Sequence, residues 1–145
     1  MQILKVKTED RRLGDFGEGE AVKFLRKNGY RIKRRNFVTD TNEIDIVAEN
    51  ADTVVFVEVK TRTVGAVSLS EARPASAVTP KKQRGIIAAA RCYLGCFRPE
   101  KRVRFDIIEV YAEPVRQGKW RAVEIKHLTS AFDADTAKPK FYKYT

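Results

Sequence analysis

Histidine and cysteine are nearly missing from this chain. Its 145 residues include one histidine, His127, and two cysteines, Cys92 and Cys96. A structural zinc site needs four nitrogen or sulfur ligands, so none can form, and two cysteines cannot make a disulfide scaffold. Long apolar runs are missing too. None approaches the roughly 18 residues of a membrane span. The start, Met1-Gln2-Ile3-Leu4-Lys5-Val6-Lys7, lacks both the apolar core and the small-residue cleavage site of a secretory signal. There is no internal repeat and no low-complexity tract. These absences predict a soluble intracellular domain, cytoplasmic and without a membrane partner.

Positive charge is in excess. Lys and Arg number 29 against 19 Asp and Glu, a net charge of +10. Such a surface favours nucleic acid, with acidic lipid second. Hydrophobic residues make up 43% of the chain, which is enough to build a core despite the charge. The length suits one domain over 1–145, with a core over about 11–126 and a C-terminal tail over 127–145.

Residues 11–28 read as a helix. Phe16, Ala21, Val22, Phe24 and Leu25 recur at near-helical spacing, and Asn28-Gly29 supplies a stop. Strands follow over 30–37, 42–49 and 53–62, with Asn50-Ala51-Asp52 as a turn between the last two. Residues 63–78 read as a mobile loop. Thr79 caps a second helix with Pro80 in its first turn, running to about Phe97. Strands over 103–111 and 120–125 complete an α-β-β-β-α-β-β order. This is an α/β domain whose mixed sheet is flanked by helices.

The chemistry concentrates on one hairpin. If Ala51 and Asp52 form its tip, Asn50 faces Thr53, Asp45 faces Glu58 and Glu43 faces Lys60. The same register gathers Ile44, Ile46, Ala48, Val55, Val57 and Val59 on one aliphatic face, and a one-residue slip would mix the faces. Directly opposed strand residues have Cβ atoms roughly 4.5–5.5 Å apart. Two carboxylates that close, amid Val47, Val54 and Phe56, raise a pKa or demand a cation. Oxygen-only ligands favour Mg²⁺ or Mn²⁺. Lys60 on the same face is placed to orient or activate a water, so the set suits metal-assisted phosphodiester hydrolysis. The plainer alternative is a solvated face with weak Glu–Lys pairs. Against it, the charge sits within the apolar run Val-Phe-Val-Glu-Val-Lys. Glu18 also shares a helical stripe with Ala21, Val22 and Leu25, which brings a third carboxylate toward the sheet. Glu20 points away from that stripe.

These residues resemble the PD-(D/E)XK nuclease superfamily, which has the restriction-endonuclease-like fold. More closely, the chain resembles the YraN family of uncharacterised bacterial endonuclease-like proteins, similar to Holliday-junction resolvases. The matching stretches are Gly14-x-x-Gly17-Glu18-x-x-Ala21-x-x-Phe24-Leu25, Gly29-Tyr30, Arg35-Asn36, Glu43-Ile44-Asp45 and Phe56-Val57-Glu58-Val59-Lys60-x-Arg62. Lys82-Gln83-Arg84, Tyr93-Leu94 and Arg104-Phe105-Asp106 follow in order. The resemblance implies Asp45 and Glu58 as metal ligands, joined by the Val59 carbonyl and by Glu18 directly or through water. It implies Lys60 as the catalytic lysine and Gln83 as a supporting polar residue. Gln83 begins a stripe with Ile87, Ala90, Leu94 and Phe97, so it faces the sheet or stands on the first-turn surface. Asn42 replaces the family's usual Gly, and Ile44 the nominal Pro of the superfamily motif. Neither change removes a catalytic group.

Arg34, Arg35, Arg62, Lys81, Lys82 and Arg84 are candidate phosphate contacts, giving affinity without sequence readout. Cys92 and Cys96, one turn apart, read as small buried residues. His127 reads as structural or exposed, and Trp120 as packing on the core. The terminal Phe141-Tyr142-Lys143-Tyr144 suits base stacking, or docking on this domain or another subunit. Together these readings predict a Mg²⁺- or Mn²⁺-dependent DNA endonuclease. The resolvase resemblance suggests branched DNA and, for symmetric cutting, a homodimer. The alternatives are a nucleic-acid-binding accessory protein of the same fold without chemistry, and a phosphodiesterase acting on RNA or small nucleotides.

Overall fold

Thr8 starts the first helix. Its Oγ1 accepts from Arg11 N at 3.2 Å, while Glu9 and Asp10 place negative charge at the positive end of the helix dipole. This computed structural model describes residues 8–64, 78–116 and 118–134. Helix α1 (Glu9–Lys27) is followed by strands β1 (Arg31–Val38), β2 (Glu43–Glu49) and β3 (Thr53–Thr63). Helix α2 (Pro80–Phe97) leads to β4 (Arg102–Arg116) and β5 (Lys119–Phe132). Most of the expected 63–78 loop, and the terminal aromatic cluster, lie outside the described residues.

The element order is the expected one. The five strands form one sheet in the order β1-β2-β3-β4-β5. All neighbours are antiparallel except β3 and β4, which run parallel. Parallel strands need a long crossover, and α2 lies within it. Each helix covers one face. Val55 and Val57 pack with Ala21, Val22 and Leu25 of α1. Val54 and Phe56 pack with Ile86, Ala90 and Tyr93 of α2. Burial on both faces is why β3 reads as an almost unbroken apolar run.

Four expectations are corrected. Ile44 leaves the aliphatic face of Ile46 and Ala48 and packs on the α2 side with Val47. At that level of the sheet Asn36 of β1 takes a left-handed φ of 52°, and the alternation of β2 changes phase beside it. Cys92 and Cys96 are exposed. At 3.6 residues per turn they lie roughly a quarter to a third of a turn off the line through Ile86, Ala90 and Tyr93. Phe97, at the end of its stripe, is 46% exposed and packs at a tilt against Tyr93. Finally, β4 and β5 are longer than predicted and turn at Gly118 (φ 71°), so residues 127–132 belong to the sheet rather than to a tail. Pro114 hid this extension, because proline inside a run argues against a strand. The register shifts there, between Pro114 and Arg116.

Candidate active site

The β2–β3 register is the expected one. Ile46 pairs with Val57, Val47 with Phe56, Ala48 with Val55 and Glu49 with Val54. Asn50 closes the turn, its Oδ1 accepting from Asp52 N at 3.1 Å and Thr53 N at 2.9 Å. The ladder stops at Ile46–Val57 and reaches neither the expected Asp45–Glu58 pair nor the expected Glu43–Lys60 pair. Beyond it, Asp45 Oδ2 accepts from Val59 N at 2.8 Å. A side chain has replaced the next backbone partner, and Glu43 pairs with Val38 of β1.

Glu58 faces the α2 side and is only 5% exposed. Its Oε1 lies 3.6 Å from Lys60 Nζ and 3.9 Å from Lys82 Nζ. Its Oε2 is buried and takes no hydrogen bond from a fixed donor, and a proton on Glu58 would be shared with Asp45. A buried carboxylate oxygen without a fixed donor is costly unless something else binds it. Burial, and then the Asp45 charge, push Glu58 up to about 7. Burial raises Asp45 as well, against the opposing effect of the Val59 N–H.

Glu18 arrives from α1. It follows Gly17, where a Cβ would come within 1.8 Å of Thr61 Oγ1. Only glycine lets the helix lie this close to β3. Burial first, then Asp45, push Glu18 up to about 7. With its amide nitrogen turned inward, Asn36 donates to Glu18 Oε1 at 2.9 Å and to Glu43 Oε1 at 3.2 Å.

Glu18, Asp45, Glu58, Val59 and Lys60 all line one cavity of about 410 Å³. Among the described residues, no three carboxylate, imidazole or thiolate side chains converge closely enough to hold a metal by themselves. The donor set nevertheless fits a hard cation. It offers only oxygen, its carboxylates repel one another, and Glu58 Oε2 lacks a fixed donor.

Gln83 is placed elsewhere. Its Nε2 donates to Val78 O at 2.9 Å, tying the chain before α2 to the helix. Its neighbour Lys82 is the α2 residue that reaches Glu58. Lys82 was expected only as a phosphate contact, and Asn36 was only part of a motif match. Both contacts cross between elements, and no spacing rule reports them.

The other basic candidates differ in availability. Lys81 and Arg35 are exposed, and the Arg35 charge opposes the upward shift of Glu18. Arg34 lies over the Phe97 ring at 4.6 Å. Arg62 is turned inward, its Nε 3.5 Å from Oε2 of the buried Glu109, to which Tyr111 also donates at 3.4 Å. Arg84 is exposed on α2.

Asp106 is structural. Arg104 donates to its two oxygens at 2.9 and 2.8 Å, His127 Nε2 lies at 2.7 Å, and Ser130 N donates at 3.0 Å. Burial alone would raise Asp106, but the bonds from His127, Arg104 and Ser130 N outweigh it and hold the carboxyl below its ordinary value. Arg104 also donates to the Tyr30 hydroxyl at 2.6 Å, so the cluster ties the start of β1 to β4 and β5. Trp120 packs its ring on Phe16 of α1, with centroids 6.1 Å apart. No helix of the described residues is long and apolar enough to cross a membrane.

Comparison with known proteins places this geometry in a family. The family model described as uncharacterised protein family UPF0102 matches residues 17–110, a span that holds Glu18, Asp45, Glu58, Lys60 and Lys82. A UPF0102 protein of Chlorobium phaeobacteroides (strain BS1) is 46% identical over 121 residues, covering 83% of this chain and 93% of that protein. One from Chlorobaculum parvum is also 46% identical over 121 residues. Caldicellulosiruptor saccharolyticus has one 43% identical over 102 residues, covering 70% of this chain and 83% of that protein. The chain therefore belongs to the UPF0102 family, which is the YraN family its motifs resemble.

Proposed function

We propose that this protein is a metal-dependent DNA endonuclease that hydrolyses phosphodiester bonds at the Asp45–Glu58 site. The observation that carries the reading is the buried Glu58 Oε2, which takes no hydrogen bond from a fixed donor although Asp45 and two lysines crowd the same carboxylate. Asp45, Glu58 and the Val59 carbonyl would hold Mg²⁺ or Mn²⁺, and Glu18 would complete the shell by turning from Asn36. A bound ion there supplies Lewis acidity toward a phosphate oxygen and a counter-charge for the carboxylates. Lys60 holds the attacking water in line and offsets charge as it develops on the phosphate. Lys82, half exposed above Glu58, steadies a non-bridging oxygen. The net charge of +10 supports DNA as the partner. Branched DNA and a two-fold dimer come from the resolvase resemblance alone.

A second reading has its own support. With Glu18 held by Asn36, no trio of ligands converges among the described residues. A UPF0102 protein of this kind would bind nucleic acid without cutting it.

One gel series separates the two. Wild type and Asp45→Asn are incubated with labelled four-way junction, flap, single-stranded and duplex DNA, with Mn²⁺ for cutting and Ca²⁺ for binding. Cutting by wild type alone supports the nuclease and shows which DNA shape it prefers. Binding without cutting by either protein supports the accessory reading.

A further inference from the structure

A second hollow, of about 520 Å³, lies between the Thr39–Asn42 turn and the start of α2. That volume falls within the roughly 300–1,000 Å³ of small-ligand sites. Thr39, Asp40, Thr41 and Asn42 line one wall, and Thr79, Lys81 and Lys82 line the other. The first wall is fixed by its own bonds. Thr39 N donates to Asn42 O at 2.8 Å, Asn42 N to Thr39 Oγ1 at 3.2 Å, and Asn42 Nδ2 to Thr41 Oγ1 at 3.0 Å. The second is fixed by Thr79, whose Oγ1 accepts from Lys82 N at 3.1 Å. The walls meet at Gly85, where a Cβ would come within 2.5 Å of Asn42 Oδ1.

Two residues join this hollow to the carboxylate site. Lys82 lines the hollow and stands 3.9 Å from Glu58 Oε1. Glu43 lines it as well, and shares with Glu18 the amide nitrogen of Asn36. A strand whose phosphate reaches Asp45 and Glu58 therefore has an adjoining recess for its neighbouring unit.

We propose that this hollow holds one unpaired DNA nucleotide, adjacent in the strand to the phosphodiester at Asp45 and Glu58, with its phosphate on Lys81. The proposal rests on the nuclease reading above. The Lys81 ammonium group on one wall suits a phosphate. Hydroxyls, an amide and the Asp40 carboxylate on the other offer donors and acceptors to a base edge. The described lining of the hollow offers polar groups suited to a base edge. A base presents its full edge to such a wall only when it leaves the helical stack. The preferred substrate then carries an unpaired nucleotide beside the cleaved bond, as flaps, ends and distorted junctions do.

The test follows backbone amides of the full ¹⁵N-labelled chain in Ca²⁺ by NMR. The probes are dCMP, CMP, inorganic phosphate, and a single-stranded dodecamer with its duplex. The expected result is saturable shifts at Thr41, Asn42, Lys81 and Gly85 with dCMP, and at least tenfold tighter binding of the single strand than of the duplex. Lys81→Ala and Gly85→Ala should each weaken dCMP at least tenfold. Lys81 is exposed, and at Gly85 only the end of the Asn42 side chain must shift, so both variants should fold. Equal shifts with inorganic phosphate, shifts elsewhere, or indifference to both variants would overturn the hollow as a nucleotide site. Tenfold tighter CMP would overturn DNA as its source. No cleavage is read here, so the two ideas fail separately. Shifts without cutting of any DNA sink the nuclease reading, whereas cutting without these shifts sinks the hollow alone.

Discussion

The carboxylate of Asp45 takes the backbone amide of Val59 at 2.8 Å, and that bond stands where the β2–β3 ladder ends. It gives Asp45 two separable properties, an acceptor for β3 and a negative charge for the site. Asp45→Asn keeps an acceptor and loses the charge. Asp45→Ala loses both and strands a half-buried N–H. In urea unfolding, Asn should stay within about 1 kcal/mol of wild type, and Ala should lose about 1–3 kcal/mol. Ca²⁺ binding by calorimetry should fall in both. Equal stability losses would show that the Val59 bond contributes nothing.

The raised carboxylates give the metal-free protein a distinctive pH response. Glu58 sits near 7 when folded, against an ordinary value of 4.5, and Glu18 does the same. Between those values the folded chain binds more protons than the unfolded chain, so stability falls as pH rises through the window. Asp106 is shifted the other way, and its contribution is lost only below the ordinary value of 3.8. Tm measured without metal should therefore be higher at pH 5.5 than at pH 8. Glu58→Gln should flatten the slope, and Ca²⁺ should raise Tm more at pH 8 than at pH 5.5. A Tm that climbs from pH 5.5 to 8 without metal would contradict the proposed site electrostatics.

Gly17 tests the seating of α1. Alanine at an exposed helical glycine ordinarily stabilises by about 1 kcal/mol. Here its Cβ meets Thr61 Oγ1 at 1.8 Å, so Gly17→Ala should destabilise by about 1–3 kcal/mol. Thr61→Ala in the same chain should recover part of that loss, because it removes the nearest atom and leaves the Thr61 Cβ position at 2.8 Å. Thermal melts of the two single variants and the double variant complete the cycle, and additive losses would refute the contact.

The Asp106 cluster should govern stability rather than chemistry. Asp106 is 0% exposed and is bonded to Arg104, His127 and Ser130. Asp106→Ala leaves the Arg104 guanidinium without its main partner and should destabilise by about 3 kcal/mol or more. His127→Gln retains a donor and should cost about 1 kcal/mol. Both variants should bind Ca²⁺ with wild-type affinity at a temperature where they remain folded. Weakened Ca²⁺ binding would connect this cluster to the site.

Much of this architecture was readable from residue patterns, and the exceptions have physical causes. The β2–β3 register from Glu49–Val54 to Ile46–Val57 followed from alternation, because a slip would have mixed the two faces. Thr79-Pro80 announced α2 through its cap. Asn36 escaped notice because a left-handed residue in mid-strand leaves no periodic trace, and the phase change carried Ile44 away from its expected face. Lys82 and Gln83 are neighbours whose roles depend on which one points at Glu58 and which at Val78, a difference of about 100° around the helix. The exposed cysteines followed from the same rotation.

The parallel seam between β3 and β4 divides the site by origin in the chain. Glu18, Asn36, Asp45, Glu58 and Lys60 all lie within α1 and the meander β1–β3, a stretch of mostly short-range contacts. Lys82 comes from the crossover, and its position depends on strands about fifty residues apart being joined, as Thr53 is to Arg102. Contacts of that sequence separation form slowly. On that ground the acidic half of the site is expected to take shape first during folding, as a locally assembled negative pocket, and the lysine that covers it to arrive when the seam closes.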